Sequence, residues 1–365
     1  MIRQVTKIVI LCPYPLRVAP GQRFRFEQYL SQLAANGYCV RIEAFLSTDA
    51  MAVLYSPGHL LMKTWEVIWG FLRRIRLLFS MSEYDYAFIF REATPLGPPF
   101  FEAALFFLNC RVIYDFDDAI YITKTSDANK LVSFAKWPSK VRFITRRAWK
   151  VSVSTAFLMN WARQYNDNVV LLPTTVDLDY HRPINKPPLN MRRPVIGWTG
   201  SHSTVPYLEL VRPALSQLQA RYDFEFRVIC DMDPKLTELK NYRFVPWRLI
   251  SEIEDLAAID IGLMPLAQGE WESAKAGFKA IQYSGVGAVP VVSLTDVGHT
   301  VVIDGQTGFI VDDNSSEAWV RAISRLLENP ALISEMSKRG RELVERRFSV
   351  GSQQQRFLSL FSDSK

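Results

Sequence analysis

The chain has 365 residues, too many for one small core and enough for two domains of ordinary size. Hydrophobic residues make up 48% and charged residues 22%, as in globular proteins. Lys and Arg outnumber Asp and Glu by 43 to 37, a net charge of +6 that favours an anionic ligand or surface but does not argue by itself for nucleic acid.

The four cysteines, Cys12, Cys39, Cys110 and Cys230, lack metal-like or paired spacing. Three of them adjoin apolar runs, which predicts buried free thiols in a reducing compartment. The first apolar run, Lys7–Cys12, is short and stops at Pro13, unlike a secretory signal. No stretch offers the roughly 20 apolar residues that span a bilayer. Leu60–Phe79 comes nearest and is interrupted by Lys63, Glu66, Arg73, Arg74 and Arg76. The expectation is a cytoplasmic protein.

Taken in chain order, short apolar runs alternate with helical patterns. Lys7–Cys12 reads as a strand, and the loop behind it carries Gly21, Arg23 and Arg25. A glycine there lets the backbone approach a ligand, and arginines bind phosphate at two points, so these three are candidates for a phosphate-facing loop. Phe24–Asn36 reads as one helix ended by Gly37. Val40–Phe45 is a strand. Leu60–Phe79 then places Leu61, Trp65, Ile68, Trp69, Leu72, Ile75 and Phe79 on one helical stripe beside arginines, the pattern of an interfacial helix. Packing inside the first domain is the alternative. Pro95–Leu108 adds four phenylalanines.

Strands follow at Tyr86–Phe90, Arg111–Tyr114, Val151–Ser154 and Val169–Leu172. The run Asp115-Phe-Asp-Asp118 leaves two readings open: spaced carboxylates that hold a divalent metal, or Asp117 and Asp118 orienting or deprotonating a hydroxyl. Four prolines and several charges in 182–194 predict an interdomain linker.

Alternation restarts with the strand Val195–Thr199, the helix Tyr207–Arg221, and the strands Phe224–Cys230 and Ile259–Pro265. A helix over Gly277–Ser284, strands Val289–Ser293 and Phe309–Val311, and a broken helical region Glu317–Phe361 complete the chain. This βα pattern predicts two parallel-sheet domains with a ligand cleft at their strand ends. The domains are placed at 1–181 and 195–345, with 346–365 as a terminal helix that packs back on the first.

In the second domain, the loop Gly197–Thr204 offers Gly200, Ser201 and His202 to a diphosphate. At Asp231–Asp233 and Trp247 an aromatic ring or a backbone amide is available to stack on or pair with a base. If a helix begins near Ala276, Lys275, Lys279 and Gln282 lie on one face or at its N-terminal edge, where amides and dipole both favour anions. Gln282 is then placed to bond a ribose hydroxyl. A zinc site or a triad cannot be assembled from His59, His181, His202 and His299. The turn after the first strand is Cys12-Pro-Tyr-Pro15 rather than G-x-G-x-x-G, which argues against an epimerase or dehydrogenase.

These motifs resemble, in order and over nearly the whole chain, the group 1 glycosyltransferases of glycosyltransferase family 4, with the GT-B double-Rossmann fold. Within that family the chain is similar to a bacterial branch with a W-x-x-x-K-x-x-x-K-x-I-Q-Y pattern, here Trp271 to Tyr283. Similar stretches are Pro13-Tyr-Pro with Gly21–Tyr29, Val112–Tyr121, Pro173–Asp177, Ile196–Thr204 and Asp260–Pro265.

The resemblance implies a retaining transferase that moves a sugar from a nucleotide-diphosphate donor to an acceptor hydroxyl, without metal or other cofactor. The first domain would take the acceptor, expected to be a lipid-linked glycan in bacterial surface polysaccharide synthesis. The second would take the nucleotide. Association with the inner face of an anionic cell membrane is expected, and nucleic acid is not. Asp117 is the positional counterpart of a histidine facing the reacting sugar in relatives.

Two departures stand out. The family's two glutamates, with seven residues between them, are replaced by Ala274 and Gln282, leaving Glu272 or Glu270 to reach the sugar. The basic pair expected near the Gly197–Thr204 loop is absent, so Lys275 or Lys279 must supply that charge. The missing glutamate pair also leaves open a catalytically silent, glycosyltransferase-like scaffold subunit.

Overall fold

The apolar runs become the strands of two parallel six-stranded sheets in a computed structural model that describes residues 5–54, 59–122, 137–295 and 298–362. The chain forms two units, one of Met1–Thr174 with Gln353–Lys365 and one of Thr175–Ser352.

In the first unit the strands are β1 (Lys7–Cys12), β2 (Cys39–Ala44), β3 (Tyr86–Phe90), β4 (Arg111–Phe116), β5 (Lys150–Val153) and β6 (Val169–Leu171), in the order β2-β1-β3-β4-β5-β6. The helices are α1 (Pro20–Arg25), α2 (Leu30–Ala35), α3 (Thr48–Leu54), α4 (Leu60–Leu78), α5 (Phe100–Phe107), α6 (Ser139–Arg147) and α7 (Ala156–Ala162). Strands β3 and β5 are buried at every position, as expected where both faces of a parallel sheet are covered.

The helix expected over Phe24–Asn36 is broken. Phe26 leaves helical geometry at φ −130° so that its ring packs against Phe88 and Phe90, and a 3-10 turn at Glu27–Tyr29 separates α1 from α2. The end of the chain completes this core. Phe357 stacks on Tyr29 at 4.2 Å, and Lys150 donates to the carbonyls of Ser359 and Ser362, each at 2.7 Å.

In the second unit the strands are β7 (Val195–Thr199), β8 (Glu225–Cys230), β9 (Tyr242–Pro246), β10 (Ile261–Met264), β11 (Val289–Ser293) and β12 (Phe309–Val311), in the order β12-β11-β10-β7-β8-β9. The helices are α8 (Arg212–Gln219), α9 (Glu252–Ala257), α10 (Glu270–Ser273), α11 (Phe278–Gly285), α12 (Gly298–Val301), α13 (Ser316–Leu327) and α14 (Pro330–Arg347). Helix α15 (Val350–Leu358) carries the chain from this unit into the first.

Strand β9 was not expected from the sequence because it is a half-exposed edge strand without a continuous apolar run. The helix expected over Tyr207–Arg221 is shorter. Pro206 lies in a 3-10 segment, His202–Leu210, and Pro213 opens α8, so a regular helix forms only from Arg212.

The proline-rich run 182–194 belongs to the second unit, and the division falls at Thr174 and Thr175 instead of at residue 181. The run is anchored by the buried carboxylate of Asp260. Both terminal nitrogens of Arg192 bond it at 2.6 Å, Lys186 at 2.8 Å, and the Val195 amide at 3.0 Å. Burial pushes the Asp260 carboxyl up, but Arg192 and Lys186 outweigh it and hold the group below the usual carboxylate range.

Candidate functional site

The second unit gathers its candidate residues at the carboxyl ends of β7, β8 and β10. Strand β7 ends in Trp198 and Thr199, and Gly200 turns the chain. A Cβ on Gly200 would lie 2.3 Å from the Trp198 ring, so only glycine fits there. Tyr283 of α11 holds the same strand end, accepting the Thr199 amide at 3.0 Å and donating to the Leu263 carbonyl at 3.2 Å. Its ring lies so close to Gly262 that any Cβ there would sit at 2.3 Å.

Helix α11 begins at Phe278, after Gly277 at φ +64°, so Lys275 precedes the helix and does not lie on it. Lys279 sits in its first turn, partly buried, with Nζ 4.4 Å from the centre of the Trp198 ring. Lys275 stands over Trp271 at 5.7 Å. Among the described residues neither lysine has a carboxylate partner. Burial first, and repulsion from Lys275 second, push the Lys279 ammonium down to about 7. Two cations held together without a carboxylate partner among the described residues can attract an anion.

Ser201 and His202 follow the Gly200 turn. The Ser201 amide donates to the Thr204 hydroxyl at 3.1 Å. Asp231, just past β8, takes both the His202 backbone amide and Nδ1, each at 2.6 Å. An ionised carboxylate only accepts, so Nδ1 carries the hydrogen and Nε2 is directed away from Asp231. The same carboxylate accepts the Cys230 thiol at 3.2 Å, and burial pushes that thiol up to about 11, which leaves it unreactive. Trp247 is partly buried, with its amide bonded to the Cys230 carbonyl at 2.8 Å and its ring against the Leu256 and Ile259 core.

Two expectations for this unit are corrected. Gln282 does not share a free face with the lysines. It is buried, with its amide nitrogen 3.3 Å from His181 Nε2, so it is used inside the unit and not presented to a ribose. Glu272, expected to reach the sugar, is instead turned into the unit. It is buried on α10, accepts the Tyr207 hydroxyl, and fills the space above Gly269. Ala274, where relatives carry a glutamate, is fully buried. Glu270 opens α10.

In the first unit, Asp117 and Asp118 follow β4 and face Arg91. The Arg91 Nε donates to Asp117 at 2.6 Å, and Nη2 to Asp118 at 3.4 Å. Arg91 follows β3 with φ +56°, a left-handed conformation that costs a non-glycine residue energy and persists where surroundings demand it. Its amide bonds the Asp115 carbonyl at 2.7 Å, and its carbonyl takes the Tyr114 hydroxyl at 2.9 Å. Burial pushes the Asp117 carboxyl up, but Arg91, and Arg25 farther off, outweigh it and hold Asp117 below the usual range. A carboxylate so held is a poor proton acceptor and a good fixed acceptor of hydrogen bonds. Gly21 lies beside it, its Cβ position 3.4 Å from Asp117 Oδ2.

Arg25 is the third correction. Its guanidinium is fully buried, bonding Asp115 through Nε and Nη2, Ser152 at 3.2 Å, and the Leu172 carbonyl. Asp115 and Ser152 are register partners on β4 and β5, so Arg25 ties the sheet together and is not free for phosphate. Arg23 is partly exposed over Phe24 at 4.8 Å. Arg91, the residue that organises this acidic site, escaped the sequence reading. The signal available was a lone arginine directly after the all-apolar strand Tyr86–Phe90.

Residues 193–329 match the family model of the group 1 glycosyl transferases. No curated protein sequence is significantly similar to the chain. Among solved structures, it is similar to the sucrose-phosphate synthase of Thermosynechococcus elongatus, with 15% identity, 98% of each chain covered and a TM-score of 0.71. A glycosyltransferase from Rickettsia africae gives 15%, 98% of each chain and 0.69. Anabaena HepE, in complex with UDP and glucose, gives 14%, 98% of this chain, 100% of the other and 0.67. The chain thus has the two-sheet GT-B fold, and its residues 193–329 fit the group 1 glycosyl transferase domain model.

Proposed function

We propose that the protein is a retaining, metal-independent glycosyltransferase that moves a sugar from a nucleotide-diphosphate donor to an acceptor hydroxyl. The observation that carries this reading is the anion site of the second unit, where Lys275 and Lys279 stand without a carboxylate partner among the described residues, next to the Gly200 turn. The amides that open α11, beside Lys279, supply further donors for a diphosphate. HepE, which shares the fold, is seen with UDP and with UDP-glucose, which supports a nucleotide sugar as the ligand class.

In this reading Lys275 and Lys279 neutralise the diphosphate, and the charge developing on it as the glycosidic bond breaks. His202, fixed by Asp231, offers Nε2 to a phosphate or sugar oxygen. Glu272 positions Tyr207 near the sugar. In the first unit, Arg91 fixes Asp117 and Asp118 to orient the acceptor hydroxyl. The acceptor is a lipid-linked glycan of bacterial surface polysaccharide synthesis, and the enzyme works peripherally at the inner face of the cell membrane.

Radiolabelled transfer from a panel of nucleotide sugars to extracted lipid-linked glycan tests this. Product with the donor's anomeric configuration, formed equally with and without EDTA, is the expected result. Nucleotide binding without transfer or hydrolysis of any donor favours the scaffold reading, to which the buried Ala274 lends weight. Activity lost in EDTA and restored by magnesium ends the metal-free assignment.

A further inference from the structure

The first unit exposes apolar surface that its own core does not use. On α4 the stripe from Leu61 to Phe79 faces outward, with Leu61 at 88% and Phe79 at 86% exposure. Trp65 and Trp69 stack on each other at 5.9 Å and remain about half exposed. The opposite face of α4 is spent on the unit. Leu77 is buried, and Arg74 is buried with bonds to the carbonyls of Ala93 at 2.8 Å and Glu43 at 3.0 Å. Arg73 bonds the Phe45 carbonyl at 2.6 Å. Arg73 and Arg74 are therefore structural, and of the three arginines on α4 only Arg76 is exposed.

The stripe continues across α5, where Phe100 and Phe107 are 77% and 87% exposed. An apolar cavity of about 350 Å³ lies between the two helices, lined by Phe71, Ile75, Leu78, Leu96, Phe100 and Phe101. Helix α6 joins α5 through Phe106 and Phe143, whose rings are 6.0 Å apart. It carries exposed Arg142, Arg146 and Arg147. Among the described residues of these three helices no carboxylate is exposed, since Glu66 is partly buried and Glu102 fully so, whereas Arg76 is exposed as well.

We propose that the α4–α5 face is a docking surface for an anionic lipid bilayer, with Trp65, Trp69, Phe79 and Phe107 entering the headgroup–acyl boundary and the surrounding arginines meeting lipid phosphates. Large contiguous apolar patches on a soluble fold mark interaction sites. Tryptophans on an amphipathic helix suit a membrane interface. Charge selects the occupant. A second copy of this chain packed face to face across a two-fold axis would bring like-charged arginines together, whereas anionic lipid neutralises them. The proposal gives a place to the lipid-linked acceptor above but stands independently of the nucleotide site, which lies in the other unit.

Co-sedimentation of the full chain with phosphatidylglycerol and phosphatidylcholine vesicles tests it. The wild type pellets with the anionic vesicles and about tenfold less with the neutral ones. Trp65→Ser with Trp69→Ser abolishes binding, and Arg76→Glu with Arg146→Glu reduces it about tenfold. Because these side chains are exposed, melting temperatures stay unchanged. Absence of wild-type binding to anionic vesicles overturns the proposal. So does a stable dimer that the tryptophan variant dissolves while vesicle binding is unaltered. Nucleotide affinity, read in the same samples, reports separately on the donor site.

Discussion

Lys279 is a lysine whose surroundings draw its ionisation toward neutral pH. Its ammonium lies over Trp198, beside Lys275, and titrates near 7 instead of at the usual lysine value. An anion stabilises the charged form, so binding at pH 8 must draw a proton onto Lys279. Affinity for a nucleotide diphosphate is therefore highest below about pH 7 and falls as pH rises through that value. Calorimetry at pH 8 in buffers of different ionisation enthalpy will show net proton uptake, absent in Lys279→Arg. Without ligand the sign reverses. The folded state penalises the charged lysine, so this group's unfavourable contribution is full below pH 7 and is relieved as pH rises toward the unfolded lysine value.

Lys275→Ala and Lys279→Ala will each weaken nucleotide binding by about 1–3 kcal/mol, the scale of a charge-assisted hydrogen bond. At the other site, Asp117→Asn will lower turnover about 10²-fold, the scale of a positioned catalytic group, while leaving nucleotide affinity intact. Arg91 holds Asp117 ionised, so the pH–rate profile will show no limb from this carboxyl in the neutral range. The placement of the lysines at a helix start and of the aspartates just past a strand was legible because both are local sequence signals. Arg25 and Gln282 were misread because the sequence does not show which polar side chain turns inward. Arg25 is claimed by Asp115, ninety positions away, and Gln282 by His181.

At the scale of elements, strands β1, β3, β7, β11 and β12 lie where their apolar runs predict, because strands buried on both faces are continuous in sequence. Helix starts were less legible. Gly277 in left-handed geometry delays α11 to Phe278, and Pro206 delays α8 to Arg212. Helix α11 is also the element through which packing reaches the site. Tyr283 packs against Gly262 and holds Thr199, immediately before the Gly200 turn. Gly262→Ala will force that ring aside and cost about 1–3 kcal/mol of stability by overpacking. It will also weaken nucleotide binding, although residue 262 need not touch the ligand. Thermal unfolding and calorimetry on one preparation check both; an unchanged affinity in a destabilised variant would separate α11 packing from the anion site.

For the whole molecule, the sequence marked 182–194 as the joint between domains, since prolines and charges cluster there. The contacts instead tie this run to the second unit through Asp260. Asp260→Asn will leave Arg192 and Lys186 without their charge partner and cost about 2–4 kcal/mol. The folded-state pKa of Asp260 is depressed, so its stabilisation is present above the unfolded carboxylate value and is lost as pH falls through the folded one. The central claim is that the second unit binds a nucleotide-diphosphate sugar at the β7 turn and the lysines before and in the first turn of α11. Hydrogen exchange measured with and without UDP-, GDP-, ADP- and TDP-sugars tests it most directly. The account predicts that at least one of them slows exchange in 199–204 and 275–282, and that Lys275→Ala with Lys279→Ala removes the effect. No protection by any of the four, or protection confined to other segments, would contradict it.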